Sequence, residues 1–230
     1  MIVHCTDWLP QPDPEFKLAQ ARAPGTYGGS LHYNVLDVRD TQHLDETISQ
    51  IASTYGRLDG LVAAAGIQQT TAAIEYSVDD VRKMLDVNYT GVFMTATACA
   101  RQMIKHGTGR GGAMVLVGSI SGMVANKGLI SPVYNSSKAA VIQLGRNLAM
   151  EWGPQGIRVN TLCPGHVLTP MVQHHFDEEP ELQRLWEKEN MLGRLGRPEE
   201  FRGPVLFLLS PASAFMTGAT LVVDGGHSAW

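Results

Sequence analysis

Short apolar runs alternate with amphipathic stretches along the chain. Runs typical of strands cover residues 2–6, 31–38, 58–65, 113–118, 156–162 and 219–223. Several of these runs are apolar at successive positions, which indicates strands that are buried on both faces. Helical spacing and boundary residues predict helices over 14–22, 41–56, 77–106, 132–152 and 199–210. Strands that alternate with helices predict an α/β fold, in which helices cover both faces of a doubly wound parallel sheet.

Proline and glycine mark several helix boundaries. Pro14 is placed to open the first helix, and Pro24 with Gly25 is expected to stop it at residue 22. Residues 170–192 are amphipathic and charge-rich, which favours a helical lid over a site rather than a core element. Because no interdomain linker is apparent, residues 1–230 are predicted to form one domain.

Composition excludes several classes of function. The 230 residues are 44% hydrophobic and 17% charged, as in ordinary globular proteins. A net charge of −4 gives no basic surface for nucleic acid. Apolar runs stay below the roughly 18 residues that span a bilayer, so no membrane partner is expected. The N-terminus lacks the basic and apolar regions of a secretory signal, and a cytoplasmic location is therefore expected.

The three cysteines do not suggest a disulfide framework. Cys5, Cys99 and Cys163 are scattered and odd in number, which favours reduced thiols. The sequence also shows no spacing typical of metal ligands, and no metal site is predicted. His166, in the loop after a predicted strand, either faces a substrate or has no role.

Polar and glycine residues collect where the predicted strands end. These residues are Asp7, Asp37, Gly66, Ser121 and the pair Pro164-Gly165. Ligands of parallel α/β sheets bind beyond the carboxyl ends of the strands, so this pattern favours a site. The alternative is that turns simply accumulate polar residues and glycine.

Tyr134 and Lys138 are the strongest candidates for chemistry. They are four residues apart in a predicted helix, which places them on one face. A nearby ammonium favours the phenolate and is expected to lower the tyrosine pKa toward the range useful in acid–base catalysis. Ser121, just beyond a strand, is placed to bind the same substrate oxygen. The alternative is an ordinary exposed pair, since this spacing is common.

Six short motifs together resemble the short-chain dehydrogenase/reductase family, over nearly the whole chain. They are Asp37-Val38, Ala63-Ala64-Ala65-Gly66, Asn88-Tyr89-Thr90-Gly91, Ser121 with Tyr134-x-x-x-Lys138, Pro164-Gly165 with Thr169, and Val223-Asp224-Gly225-Gly226. The family usually has Asn-Ala-Gly where this chain has Ala64-Ala65-Gly66. The resemblance implies a Rossmann-like fold.

The resemblance also implies a catalytic role for four residues. Tyr134 is the acid/base that exchanges a proton with the substrate oxygen, and Ser121 holds that oxygen. Lys138 lowers the tyrosine pKa and hydrogen-bonds the nicotinamide ribose. Asn88 anchors a water molecule in the proton relay. The implied reaction is hydride transfer between a nicotinamide cofactor and a secondary alcohol or ketone.

Further residues are implied to bind the cofactor, NAD(H) or NADP(H). Asp37, followed by Val38, contacts the adenine, and Gly66 lets the backbone pass close to the cofactor. Val167 and Thr169 contact the nicotinamide end. Asp7 accepts from the ribose 2′-hydroxyl and would repel a 2′-phosphate, which slightly favours NAD(H).

One part of the family pattern is not found. The family opens with a strand and a Thr-Gly-x-x-x-Gly-x-Gly turn that leads into a helix, whereas residues 2–6 already match its second strand. In the family strand order, 3-2-1-4-5-6-7, the absent strand is central. An N-terminally truncated sheet is therefore expected. Dinucleotide binding should also be weakened, because the turn of the family supplies N–H groups to the pyrophosphate. Either residues 2–6 slide inward, or residues 1–40 dock poorly, or a partner chain fills the gap.

The sequence thus supports a main hypothesis and an alternative. The main hypothesis is an oxidoreductase that acts on a small carbonyl or alcohol and forms a homodimer or homotetramer, as the resemblance implies. The alternative is a cofactor-free pseudoenzyme, a binding or assembly module of the same fold, or the product of an incomplete gene. The intact Asn88, Ser121, Tyr134 and Lys138 favour the first, and the absent phosphate loop favours the second.

Overall fold

The computed structural model describes residues 1–107, 111–126, 128–169, 172–173, 176 and 180–230. The strands are β1 (Ile2–Asp7), β2 (Ser30–Val35), β3 (Gly60–Ala63), β4 (Gly112–Val117), β5 (Ile157–Pro164) and β6 (Thr220–Val223). The α-helices are α1 (Pro14–Tyr27), α2 (Thr41–Tyr55), α3 (Val78–Leu85), α4 (Val92–Lys105), α5 (Pro132–Trp152), α6 (Pro180–Glu189) and α7 (Arg202–Leu209). Strands and helices alternate, as the apolar pattern predicts.

The strands form two parallel sheets in the described part of the chain. One sheet contains β1 and β2, and the other has the order β3-β4-β5-β6. No ladder joins β1 to β3 within the described residues, so the alternative in which residues 2–6 slide inward is wrong. Val62 of β3 is 40% exposed, whereas β4 and β5 are almost completely buried. No strand of the described region pairs with the edge of β3 that faces away from β4, so this edge is open there.

Helices cover both faces of the larger sheet. On one face, Met114 and Leu116 of β4 pack with Val141 of α5 in the main core cluster. On the opposite face, Val115 of β4 packs with Leu208 of α7. Successive side chains of a strand point to opposite faces, so this alternation shows that the sheet is doubly wound. The predicted parallel α/β fold is confirmed for these strands.

Two helix boundaries test the proline and glycine signals. The prediction that α1 stops at residue 22 is wrong, because α1 continues through Pro24 to Tyr27. Pro24 lies in the last turn, where its missing N–H costs only one helical hydrogen bond. Gly28 then ends the helix in the left-handed conformation and donates its N–H to Ala23 O.

The predicted helix over 77–106 is interrupted by a wider turn. α3 and α4 are joined by a π-helical segment, Asp86–Gly91. Gly91 lies against Val38, since a Cβ at this glycine would come within 2.6 Å of Val38 Cγ2. The segment buries Asn88 completely and directs it toward the carboxyl end of β3. Turns of this kind often mark functional sites.

Candidate active site

Tyr134 and Lys138 lie side by side in the first turns of α5. Pro132 opens the helix, and its fixed φ suits this first helical position. Lys138 Nζ lies 5.8 Å from the centroid of the Tyr134 ring. Lys138 is only 4% exposed, and Tyr134 is half-buried. The predicted placement on one helix face is confirmed, and the alternative of an ordinary exposed pair is wrong.

The Lys138 ammonium is anchored at the end of β4. Its Nζ donates to Val117 O at 2.9 Å. Burial lowers the pKa of Lys138 to about 8, because the ammonium loses water that would stabilise its charge. This is the one hydrogen bond of Nζ within the described residues, so two N–H groups are available to a ligand.

The Tyr134 phenol is neutral at physiological pH. Burial raises the pKa of Tyr134 above its usual value, and a hydrogen bond with Ser119 only partly opposes this shift. The predicted lowering of the pKa by Lys138 is therefore wrong for this structure. Burial disfavours the charged forms of both side chains, and the ammonium is held at Val117 O. A neutral phenol is poised to donate a proton.

Ser119, rather than Ser121, lies near enough to the Tyr134 phenol to lower its pKa. Both serines are buried, and Ser119 Oγ also accepts from Ser121 N at 3.1 Å. The Ser121 hydroxyl accepts from Asn126 Nδ2 at 3.0 Å. Sequence reasoning missed Ser119. A signal was present, because Ser119 follows the predicted strand 113–118 directly.

Asn88 and Gly66 join the end of β3 to this site. Asn88 Oδ1 accepts from Ile67 N at 2.8 Å, while Nδ2 donates to Ile67 O and to Ser137 Oγ. The side chain thus clamps the loop after β3 onto α5. A Cβ at Gly66 would lie 3.3 Å from Lys138 Nζ and 3.5 Å from Asn88 Oδ1. The glycine leaves open space beside the ammonium, which fits the close approach of a bound group.

Two predicted cofactor residues lie at the ends of β1 and β2. Asp7 is exposed, and its Oδ1 accepts from Leu9 N at 3.0 Å, so it caps the turn after β1. Asp37 is paired with Arg39, whose Nε and Nη2 both donate to its carboxylate. This pairing lowers the pKa of Asp37. Both carboxylates lie at or just beyond the carboxyl ends of their strands.

The loop after β5 carries the remaining predicted cofactor residues. Val167 forms a parallel bridge with Gly196, and Thr169 Oγ1 accepts from Val172 N at 3.3 Å. Gly165 is required by packing, because its Cβ would lie 2.6 Å from Asp224 Cα. The Pro-Gly and Asp-Gly-Gly motifs therefore pack against each other and hold this loop beside the sheet.

Comparison with known proteins agrees with this geometry. A family model described as Enoyl-(Acyl carrier protein) reductase matches residues 14–228. Short chain dehydrogenases/reductase notP′ of Aspergillus versicolor is 42% identical over 99% of this chain and 79% of its own length. The chain belongs to the short-chain dehydrogenase/reductase family.

Several relatives of this dehydrogenase/reductase are named for polyols. Galactitol 2-dehydrogenase (L-tagatose-forming) of Cereibacter sphaeroides is 39% identical, over 85% of this chain and 75% of its own length. A gluconate 5-dehydrogenase of Burkholderia cenocepacia, solved with NADP and tartrate, has a TM-score of 0.85 and is 28% identical. That match covers 100% of this chain and 85% of the solved one. This member of the family is an NAD(P)-dependent oxidoreductase that interconverts alcohols and ketones.

The predicted lid of this dehydrogenase/reductase is described only in part. Residues 170–171, 174–175 and 177–179 lie outside the described residues. α6 is amphipathic, and its Trp186 packs with Phe176 and Leu195 in a separate apolar cluster. In the described part of the chain, no helix is both long and apolar enough to cross a membrane.

Proposed function

We propose that this dehydrogenase/reductase interconverts a small polyol and the matching ketose. The half-buried Tyr134 beside the buried Lys138, with the Ser119 hydroxyl near the phenol, carries this proposal. Relatives named for galactitol and D-arabinitol support the substrate class. Asn126 Oδ1 is buried without a partner in the described region, which favours a ligand that carries hydroxyl groups.

Each side chain has a proposed step. Tyr134 gives its proton to the carbonyl oxygen during reduction and takes it back during oxidation. Ser119 donates a hydrogen bond to that oxygen while charge develops on it. Lys138 uses its available N–H groups to bind ribose hydroxyls and stabilises the phenolate that forms. A bound nicotinamide cofactor supplies or accepts the hydride.

We assign the oxygen-binding role to Ser119 and a supporting role to Ser121, and a pair of variants tests this. Ser119→Ala should lower kcat/KM about 10²-fold, as expected for loss of one oxyanion donor. Ser121→Ala loses only its bond with Asn126 and should change kcat/KM less than about tenfold. Steady-state kinetics with one polyol would measure both variants. The reverse order of effects would restore Ser121 as the oxygen-binding residue.

We propose that Asn88 holds the relay water, that Val38, Gly66, Val167 and Thr169 contact the cofactor, and that Asp37 contacts its adenine. The clamp of Asn88 on Ile67 and the open space at Gly66 support these roles. We further propose that the first strand and the glycine-rich turn typical of the family belong beside the open edge of β3. The described residues supply no such turn there, so binding of the pyrophosphate by this chain should be weak.

Cofactor preference is proposed to depend on Asp7. Calorimetric titration of the 230-residue chain should show tighter binding of NADH than of NADPH. Asp7→Asn should reduce that difference about fivefold to tenfold, because a carboxylate repels the 2′-phosphate of NADPH. Asp13→Asn is the matched control, since Asp13 caps α1 and an asparagine also caps helices. Absence of saturable binding by either cofactor would overturn the cofactor proposal for this chain.

We also propose a homodimer or homotetramer that pairs through α4 and α5. Phe93, Ile104 and Met150 are exposed apolar residues on these helices, at 37%, 52% and 73%. Phe93 and Ile104 border a groove that Trp152 of α5 also lines. Apolar patches of this kind are typical of subunit interfaces. The described residues of 170–192 are proposed to belong to a substrate lid within the single domain.

A further inference from the structure

Three potential metal ligands from distant parts of the sequence meet beside the loop after β5. His166 follows β5, Glu189 is the last residue of α6, and His227 follows β6. One ligand atom from each lies within 4.8 Å of the others. All three residues are half-buried, which distinguishes the group from exposed acidic clusters. The set comprises two imidazoles and one carboxylate.

Aromatic packing fixes the two histidine rings. The His166 ring stacks on the buried Trp186 ring, with centroids 4.3 Å apart and an interplanar angle of 17°. The His227 ring is nearly perpendicular to that of His166, at 88° and a centroid distance of 4.8 Å. The site is therefore held by packing before any ligand binds, which lowers the entropy lost on binding.

A hydrogen-bond chain sets the tautomer of His227. Asn190 is 4% exposed, and its Nδ2 donates to Arg194 O at 2.8 Å. Its Oδ1 therefore faces His227 Nδ1, at 3.2 Å, and accepts a proton from it. This arrangement leaves His227 Nε2 with a free lone pair. Metal-binding histidines are commonly oriented by such an outer hydrogen bond through the second ring nitrogen.

We propose that His166, Glu189 and His227 bind a divalent transition metal of the Zn²⁺ class. Two imidazoles and a carboxylate suit Zn²⁺ better than Mg²⁺, which prefers oxygen ligands. Tetrahedral bonds of about 2.1 Å place ligand atoms about 3.4 Å apart, so the group contracts by at most about 1.4 Å. The flexible Glu189 side chain allows this movement. Asp224 packs against Gly165, next to His166, and adds a second negative charge.

The bound metal fastens α6 to the loop that carries Val167 and Thr169. Glu189 belongs to α6, whereas His166 immediately precedes Val167 in the chain. Three protein ligands leave a fourth position for water. We assign the metal a structural role because its ligands come from α6 and from the loops after β5 and β6, so that it fixes one end of α6 relative to the sheet.

Zinc titration of the chelator-treated full chain tests this site. A competition assay with a chromogenic chelator should show one Zn²⁺ bound per chain, and no competition by Mg²⁺. His227→Ala and Glu189→Gln should each weaken Zn²⁺ binding at least about 100-fold, since each removes a ligand. Hydrogen exchange of the α6 amides should slow when Zn²⁺ binds, because the helix end becomes fastened.

The controls separate this site from adventitious binding. His43→Ala removes an exposed imidazole on α2 and should leave the affinity unchanged. Glu189→Gln preserves the size of the side chain. Its circular dichroism spectrum would show whether weaker Zn²⁺ binding results from the missing ligand or from an unfolded protein. Zn²⁺ binding that is non-saturable, or that survives both ligand variants, would overturn the proposal. Unchanged exchange in α6 on Zn²⁺ binding would overturn its structural role.

Discussion

Tyr134→Phe is expected to lower kcat by about 10²–10⁴-fold, which is the usual contribution of a positioned acid or base. The phenylalanine ring preserves the packing beside Lys138 and removes only the hydroxyl that meets Ser119. Binding of NADH should change little, because the phenylalanine ring leaves the other side chains of the site in place. Stopped-flow reduction of a ketose by the variant and the wild type would measure the chemical step.

The pH dependence of the wild type gives a second measurement for the same residue. The pKa of Tyr134 is raised, so the phenol form needed for reduction persists through neutral pH. In the proposed mechanism, alcohol oxidation needs the phenolate, so the rate of oxidation should increase as pH rises above neutrality. Tyr134→Phe should lose this increase. Tyr55→Phe, which alters an exposed tyrosine bonded to His4, is the control and should behave as wild type. A Tyr134→Phe enzyme with wild-type turnover would remove this residue from the mechanism.

Lys138→Met is expected to inactivate the enzyme and to stabilise its fold. Burial lowers the pKa of Lys138 from 10.5 to about 8, and each pKa unit corresponds to about 1.4 kcal/mol. The buried charge thus costs about 3 kcal/mol at pH 7. Lys138→Met removes this cost but also loses the hydrogen bond to Val117 O, which stabilises the fold by about 1 kcal/mol. Urea unfolding at pH 7 should show the variant about 2 kcal/mol more stable.

The sign of the pH effect follows from linkage. Between pH 8 and 10.5, the unfolded wild type binds more protons at this lysine than the folded protein does. Wild-type stability from Lys138 therefore rises with pH across this window. The advantage of Lys138→Met should shrink by pH 10. Lys105→Met, at an exposed lysine of α4, should change stability by less than about 0.5 kcal/mol. A less stable Lys138→Met protein at pH 7 would show that the ammonium does not destabilise the fold.

The functional consequence is a trade-off at one buried lysine. In the proposed mechanism, the charge that is costly to the fold is also the charge that stabilises a phenolate at Tyr134 during turnover. Stored destabilisation of this kind is common in active sites. It also explains why Lys138 is held by a carbonyl oxygen at the end of β4 rather than by a carboxylate, which would neutralise it.

The sequence alone predicted the parallel α/β architecture and the placement of Tyr134 and Lys138 on one helix face. Continuous apolar runs indicated strands buried on both faces, and stretches of helical spacing between them indicated helices. Both signals reflect local backbone geometry, so the parallel sheet could be predicted. The bounds of α5 follow from Pro132 and the apolar spacing, and they match the structure. The four-residue spacing of Tyr134 and Lys138 is likewise local, so their contact could be predicted.

Tertiary structure decided what depends on contacts between distant segments. The direction of the Tyr134 pKa shift depends on burial by neighbouring elements, and the choice of Ser119 over Ser121 depends on how β4 meets α5. Only the tertiary structure showed that β1 stays apart from β3 and does not slide inward. His166, Glu189 and His227 come together only because three segments pack beside the sheet. Spacing along the chain reports neighbours within a helix or strand, whereas desolvation and ligand geometry depend on the whole fold.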